Sequence, residues 1–249
     1  MDQIIINADD LGLSGSVNRA IVTLLQQDVI NSATLMANMP GFEEAVQLVH
    51  EKNLVQQIGI HLVLTNGEPV GKMANTKDYF FNGKARLRDK FKRNPFHISV
   101  ADRAFVYQEF AAQIEKLQAR GIPISHLDSH HHVHEYFGIT RILVQLARKY
   151  QVPAIRILNN LESGSSFPKR LYRNFVNRYL RKEGLQFSNQ FGDRNDYLKW
   201  ISGIQKVPAG EKIEIMVHPD FNESGQIIDR VGKKEYDFAF AAELMRRPT

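Results

Sequence analysis

The stretch "IIINADDLGLSGSVNRAIVTLL", from Ile4 to Leu25, decides the class of fold. Its β-branched start predicts a short buried strand that ends at two aspartates. Ser14 or Ser16 is then the expected N-cap of a helix, because apolar residues recur every three or four positions after them. A strand that leads at once into a helix is the repeating unit of a parallel α/β fold.

The rest of the chain repeats this alternation. Strand patterns occur in "SATLMAN", "QIGIHLVL", "PISHLDSHHHVH", "PAIRIL" and "EKIEIMVHP", and helical patterns in "GFEEAVQLVHEKN", "ADRAFVYQEFAAQIEKLQARG" and "ITRILVQLARKYQ". Helices of this length cross between parallel strands. We therefore predict a parallel α/β protein with a single domain over residues 1–249, and a barrel is one of its two possible folds. Long loops, including an excursion at about 65–99, would lie over the C-terminal ends of the strands. A doubly wound sheet is the alternative.

Composition narrows the class of protein. Hydrophobic residues make up 43% and charged residues 24% of the 249-residue chain, as in an ordinary globular protein. Cysteine is absent, which excludes disulfides, thiolate metal sites and cysteine nucleophiles. The start "MDQIIINADD" does not resemble a signal peptide, and no apolar run reaches transmembrane length. We expect a cytoplasmic protein without a membrane partner.

The net charge of +5 raises the question of a nucleic-acid partner. Basic residues cluster in Gly83–Asn94 and in Lys169–Lys182. In the second cluster an apolar stripe recurs at helical spacing, so the basic residues would lie on the outer face of a helix. We therefore expect solvated surfaces and no nucleic-acid partner. The stripe consists of Leu171, Phe175, Val176 and Tyr179.

Ionisable residues follow five of the predicted strands. Because parallel strands point their C-terminal ends at one face, these side chains should meet there, as in the active sites of parallel α/β enzymes. Taken alone, His61 would fit a buried core histidine equally well. The residues are Asp9 and Asp10, His61, the run His126–His134, Arg156 and His218.

The run "SHLDSHHHVHEYF", Ser125 to Phe137, holds five of the chain's nine histidines. Imidazole is a common ligand of divalent metals, so the run predicts a metal site. In an extended strand every second residue faces one side, which places five candidates together. His130 and His134 would also share a face if the segment were helical, so the choice of ligand stays open between them. The five candidates are His126, Asp128, His130, His132 and His134.

Four motifs resemble the YdjC-like carbohydrate deacetylases: "NADDLGLS" (7–14), "GIHLVLTNGEPV" (59–70), "HLDSHHHVH" (126–134) and "MVHP" (216–219). The resemblance runs from the first strand to about residue 220, and it leaves a variable segment at about 163–210. It implies a single-domain irregular (β/α) barrel, similar to a TIM barrel. It also implies a metal-dependent hydrolase that removes the acetyl group from N-acetylated amino sugars, with a small carbohydrate as substrate. Tyr79, Phe80 and Phe81 could then stack on a sugar ring or simply pack the loop.

The resemblance also implies site residues. Asp10, His61 and His130 would bind one divalent metal ion, with Asp9 as the catalytic base and His218 as the acid. Supporting or substrate-binding roles would fall to Arg156, Asp128 and His134. Two nitrogen ligands favour Zn²⁺, whereas the family favours Mg²⁺. The competing interpretations are phosphoester hydrolysis in a similar barrel and a basic binding protein without catalysis, and a homo-oligomer stays open.

Overall fold

The structure is a computed structural model that describes residues 4–71, 94–204, 207–231 and 234–246. Most of the loop excursion lies outside the described residues, and so do Tyr79, Phe80 and Phe81. The first basic cluster, Gly83–Asn94, also falls outside them except for its last residue. No helix in the described ranges is long and apolar enough to cross a membrane.

Six parallel strands form one curved sheet in the order β4-β3-β2-β1-β6-β5. Central strands of this sheet are buried on both faces, which explains their nearly continuous apolar sequences. The strands are β1 (Ile4–Leu11), β2 (Ser32–Leu35), β3 (Ile58–Leu62), β4 (Leu127–Ser129), β5 (Gln190–Asp193) and β6 (Ile213–Val217).

Single-residue bridges continue the curve beyond β4. Ile155 pairs in parallel with Leu127 of β4 on one side and with Gln186 on the other. Gln186 lies four residues before β5, so the sheet returns toward its own far edge. The predicted α/β, barrel-like fold is therefore confirmed, but the expected strand in "PAIRIL" is reduced to the bridge at Ile155.

Seven helices are described around this sheet. Ser14, one of the two expected caps, accepts a hydrogen bond from the backbone of Val17 at 3.3 Å. The helices bury apolar stripes against the strands, as their sequence periodicity predicts. They are α1 (Gly15–Gln26), α2 (Phe42–Glu51), α3 (Val100–Gln118), α4 (Phe137–Lys149), α5 (Phe167–Lys182), α6 (Arg194–Ile204) and α7 (Ala239–Arg246).

A small antiparallel sheet follows β6 and was not predicted. It consists of β7 (Pro219–Phe221), β8 (Ile227–Val231) and β9 (Lys234–Tyr236). It is attached to the start of α1 by Ser16, whose hydroxyl donates to Asp220 at 2.7 Å. This second sheet therefore lies beside the C-terminal end of β1.

Helix α5 carries the second basic cluster. The prediction that its apolar stripe forms a buried face is only partly confirmed. Val176 is buried, but Leu171 is 54% and Phe175 48% exposed. The face toward the core also contains Leu180 and the arginine Arg173. At 100° per residue Leu171 lies roughly 140° around the helix from Val176, so the two cannot share one buried face.

Candidate metal centre

Side chains that could bind a metal ion come together where strands β1, β3 and β4 end. Asp9 and Asp10 belong to the last part of β1, His61 to β3, and His130 follows β4 directly. Asp10 has a φ of 69°, a left-handed conformation that is uncommon for residues other than glycine. The register between β1 and β2 shifts here, between Ala8 and Leu11. The two neighbouring aspartates consequently reach different partners.

Asp10, His61 and His130 have the donor set of a divalent metal site. Asp10 Oδ1 lies 3.0 Å from His130 Nδ1 and 3.3 Å from His61 Nε2. The three ligand atoms lie within 4.8 Å of one another. His61 Nε2 is buried without a hydrogen-bond partner among the described residues, a costly state that a cation would relieve. One carboxylate and two imidazoles leave positions open for water and substrate, so these residues fit a catalytic divalent ion.

Asp128 fixes the orientation of the His61 ring. The two residues are paired across β3 and β4, and Asp128 Oδ1 lies 2.7 Å from His61 Nδ1. Thr34 donates to the other oxygen of Asp128 at 3.0 Å. His61 therefore turns Nδ1 to Asp128 and Nε2 to Asp10, an arrangement common for metal-binding histidines. Burial lowers the pKa of His61, but Asp128, Asp9 and Asp10 together raise it well above its usual value.

Arg156 is completely buried and links three carboxylates. Its Nη1 and Nη2 atoms donate to the two oxygens of Asp9 at 2.8 and 2.7 Å. Nη1 also lies 2.7 Å from Asp128 Oδ2, and Nε donates to Glu214 at 2.6 Å. The guanidinium packs 4.8 Å from the centre of the Phe191 ring. Burial lowers the pKa of Arg156, but the three carboxylates hold it well above its usual value, so the group stays charged.

A second group of potential ligands, Asp9, His61 and Asp128, also has ligand atoms within 4.8 Å of one another. Arg156 already occupies both oxygens of Asp9 and one oxygen of Asp128. A divalent ion placed there would lie against a buried guanidinium, where like charges repel strongly. The group around Asp10 is therefore the better candidate.

Asp9 is an ionised carboxylate beside that candidate centre. Only 2% of the residue is exposed, and Asn7 donates to its Oδ1 at 2.9 Å. Burial raises the pKa of Asp9, but Arg156, His61 and His218 outweigh burial and hold it well below the ordinary range. Each oxygen of a carboxylate has two lone pairs, so the contact with Arg156 leaves capacity to accept a proton.

Glu214 is part of the same network, and sequence reasoning missed it. It is the second residue of β6, and its Oε2 is buried without a partner in the part of the chain that the structure describes. Burial raises the pKa of Glu214 to about 7, although Arg156 opposes this. A charged residue between isoleucines in a predicted buried strand was the available signal, because a buried carboxyl usually has a partner.

His218 follows β6 and lines the same small cavity as Asp9 and Asp10, with a volume of about 190 Å³. Strand β8 holds its backbone on both sides. The His218 N–H donates to Asp229 at 2.8 Å, and its carbonyl accepts from the Arg230 N–H at 3.0 Å. The unpredicted antiparallel sheet thus positions the residue expected to act as the acid.

The histidine run does not keep the alternation of an extended strand. His131 and His132 both have left-handed backbone conformations, with φ values of 53° and 52°. The chain turns there, so His130 faces Asp10 whereas His131 is exposed and pairs with Thr65 at 2.9 Å. The expectation that all the even-numbered residues share one side is wrong beyond His130.

The other histidines of the run lie apart from the Asp10 group. His134 is buried, and its Nδ1 lies 2.6 Å from Ser129 Oγ. Burial lowers the pKa of His132 to about 3 and that of His134 well below the usual value, so both are neutral. His126 stacks on Phe187 at a ring distance of 3.9 Å. Neither His132, His134 nor His126 belongs to a ligand group that the described residues form.

A parallel barrel with a carboxylate–imidazole centre at the C-terminal ends of its strands defines a class of metal-dependent enzymes. The family model described as "YdjC-like protein" matches residues 3–246 of the chain. The chain therefore belongs to the YdjC-like family, and the resemblance drawn from the four motifs is confirmed.

Two curated relatives carry the name carbohydrate deacetylase. The protein of Brevibacillus brevis is 35% identical over 88% of this chain and 82% of its own length. That of Geobacillus stearothermophilus is 34% identical over 87% of this chain and 79% of its own length. A solved structure from Enterococcus faecalis, provisionally called a cellobiose-phosphate cleavage protein, aligns with a TM-score of 0.64 and 24% identity. It covers 89% of this chain and 82% of that one, and it supports the fold alone.

Proposed function

We propose that the protein is a metal-dependent hydrolase that removes the acetyl group from N-acetylated amino sugars or their oligosaccharides. The curated relatives named carbohydrate deacetylase support the substrate class. The observation that carries the proposal is the convergence of Asp10, His61 and His130, with the ionised Asp9 beside them.

Asp10 Oδ1, His61 Nε2 and His130 Nδ1 would hold the ion. A bound divalent ion would lower the pKa of a water molecule and polarise the carbonyl of the acetamide. His134, the alternative ligand, is left out of this proposal because no ligand group formed by the described residues includes it. The two nitrogen donors favour Zn²⁺ over Mg²⁺. Metal analysis of protein purified without added metal or chelator would identify the ion.

Asp9 is the proposed base. As the oxygen of water attacks the carbonyl carbon, Asp9 accepts the proton that the water loses. Arg156 and Asn7 keep the carboxylate ionised and pointed into the site. Arg156 is thus a positioning residue, and Asp128 positions His61 in the same way. Fixed donors and acceptors of this kind reduce the reorganisation that the reaction requires.

His218 is the proposed acid. It gives a proton to the amine nitrogen as the C–N bond breaks, so the products are acetate and a free amino sugar. Histidine is a common general acid in enzymes, because its imidazole ring can both carry and release a proton. The position of His218 in the cavity that Asp9 and Asp10 line supports this role.

We infer a cytoplasmic location from the absence of cysteine. Fractionation of cells that produce the full chain would test the location. Light scattering on the purified protein would measure whether it forms a homo-oligomer. Nucleic acid is not expected as a partner, and salt-dependent binding to duplex DNA would contradict this.

A screen for acetate release would test the proposed activity. N-acetylated mono- and oligosaccharides would be offered with and without added Zn²⁺ or Mg²⁺. We expect release from at least one of them that is lost with a chelator and restored by metal. Asp220→Asn is a matched control for Asp9→Asn, since both aspartates line the cavity but only Asp9 holds Arg156. Turnover of a phosphoester without acetate release from any acetylated sugar would overturn the proposal.

A further inference from the structure

A second polar cavity lies between helices α5 and α6, with a volume of about 370 Å³. It shares none of its lining residues with the cavity at Asp9 and Asp10. The loop 159–165 lines one side of this cavity. Because the loop begins three residues after Arg156, the cavity lies at the same end of the barrel as the candidate metal centre. The side chains that matter for the chemistry of the cavity are Arg170, Arg173, Asn174, Lys199 and Trp200.

Positive charge predominates in this cavity. Arg170 and Lys199 both line it, and neither forms an ion pair with a carboxylate in the described ranges. Glu162 is the acidic residue of the lining, and it is already bound by Lys169 at 3.0 Å and by Arg173. Burial raises the pKa of Glu162, but these cations and Ser165 lower it to about 2, so Glu162 is ionised. Its single negative charge is already paired with Lys169 and Arg173.

Arg173 provides an independent indication of a ligand. Its side chain is only 9% exposed, yet its Nε is buried with no hydrogen-bond partner among the described residues. The same guanidinium donates to Glu162 and Ser165 through Nη1 and lies 3.8 Å from Glu135 through Nη2. A buried N–H of a charged group without an acceptor is unfavourable, so this guanidinium has donor capacity that the described residues leave unused.

Trp200 gives the cavity an aromatic wall next to these cations. Flat apolar surfaces next to polar groups suit a sugar ring, and the side-chain amide of Asn174 offers both donors and an acceptor for hydroxyl groups. We propose that this cavity binds a sugar that carries an oxyanion, either a carboxylate or a phosphate. The anion would contact Arg170, Arg173 and Lys199, and the ring would contact Trp200. The site is distinct from the metal centre and does not depend on the proposed deacetylation.

Trp200 is the single tryptophan of the chain, so its fluorescence reports directly on this cavity. The full-length protein would be titrated with glucuronate, glucose 6-phosphate, inorganic phosphate and glucose. We expect saturable changes with one or both anionic sugars, and affinity about tenfold or more lower for glucose, which lacks the charge-assisted bonds. Which of the two anionic sugars binds more tightly identifies the oxyanion.

Variants locate the binding. Arg170→Gln combined with Lys199→Gln should weaken the affinity for the anionic sugar about tenfold or more, whereas Arg103→Gln, an exposed arginine of α3, should leave it unchanged. Asp10→Asn should also leave it unchanged, because the metal centre is a separate site. Equal affinity for glucose and the anionic sugars, loss of binding in Asp10→Asn, or an unaltered double variant would each overturn the proposal. Inorganic phosphate that binds as tightly as the sugars would overturn its carbohydrate part.

Discussion

The two ends of the barrel each have a cavity, and the larger cavity is not the one that contains the candidate reactive groups. The cavity at the C-terminal ends of the strands has a volume of about 190 Å³ and contains Asp9, Asp10 and His218. The cavity at the N-terminal ends is larger, about 630 Å³, but among the described residues its ionisable lining is limited to Glu211 and Lys212. The direction of the strands, rather than the space available, thus indicates where the reactive groups lie.

The difference follows from the course of the chain. At the C-terminal end each strand enters the loop that leads to the next helix, and these loops are free to carry polar side chains. Asp10 and His130 lie at such transitions. At the N-terminal end Phe187 and His126 stack on each other instead, which fills space without bringing ligand atoms together.

Among the variants that compare the two ends of the barrel, Asp9→Asn should have the largest effect. Acetate release should fall by about 10²–10⁴-fold because the proposed base is lost, while the proposed ligands of the metal remain. Acetate assays together with metal analysis would measure both quantities. Glu211→Gln at the opposite end is the control and should keep full activity. Activity like that of the wild type in Asp9→Asn would show that the base is wrongly assigned.

His61→Ala and His126→Ala compare two buried histidines at opposite ends of the barrel. His61→Ala removes a proposed ligand, so affinity for the metal should fall by more than the roughly 10–100-fold typical of an outer residue. Asp128 orients His61 without contributing a ligand atom to the Asp10 group, so Asp128→Asn should remain within that range. Titration of the metal-free protein would measure each affinity. A loss of affinity in His126→Ala as large as in His61→Ala would contradict the assignment.

Arg156→Met tests how strongly the C-terminal end depends on its charge network. Removing the guanidinium leaves Asp9, Asp128 and Glu214 buried together without the cation that links them, so the free energy of unfolding should fall by about 3–5 kcal/mol. Urea denaturation would measure this change. Lys212→Met, at the N-terminal end and stacked over Phe187, should cost less than about 1 kcal/mol. Similar losses in both variants would show that the two ends are equally dependent on charge.

Glu214→Gln should have the smallest effect and a definite dependence on pH. The pKa of Glu214 is raised to about 7 in the folded protein from 4.5, so its contribution to stability is present at low pH and is lost as the pH rises through about 7. Gln does not titrate, so the variant should gain stability relative to wild type between about pH 5 and pH 8. Unfolding free energies across this range would test it, and a constant difference would contradict the raised pKa.

The local rules of the sequence predicted much of the fold and of the site. The alternation of strand and helix, the cap at Ser14 and the positions of Asp9, His61 and His218 at strand ends all depend on neighbouring residues. The three-stranded antiparallel sheet was missed because its short strands carry little periodic signal. The run "PAIRIL" was predicted as a strand but forms only the bridge at Ile155. A β-branched run alone does not show how many residues of it pair with neighbouring strands.

The sequence by itself determined which residue types stand at the ends of the strands, because local periodicity and turn chemistry are written in adjacent positions. Only the tertiary structure decided which of them meet. The left-handed turn at His131 and His132 separates His130 from His134, and the packing of β6 brings Glu214 to Arg156. The hydrogen bond between Arg156 and Asp9 likewise joins residues 147 positions apart. Contacts of this kind depend on the curvature of the sheet.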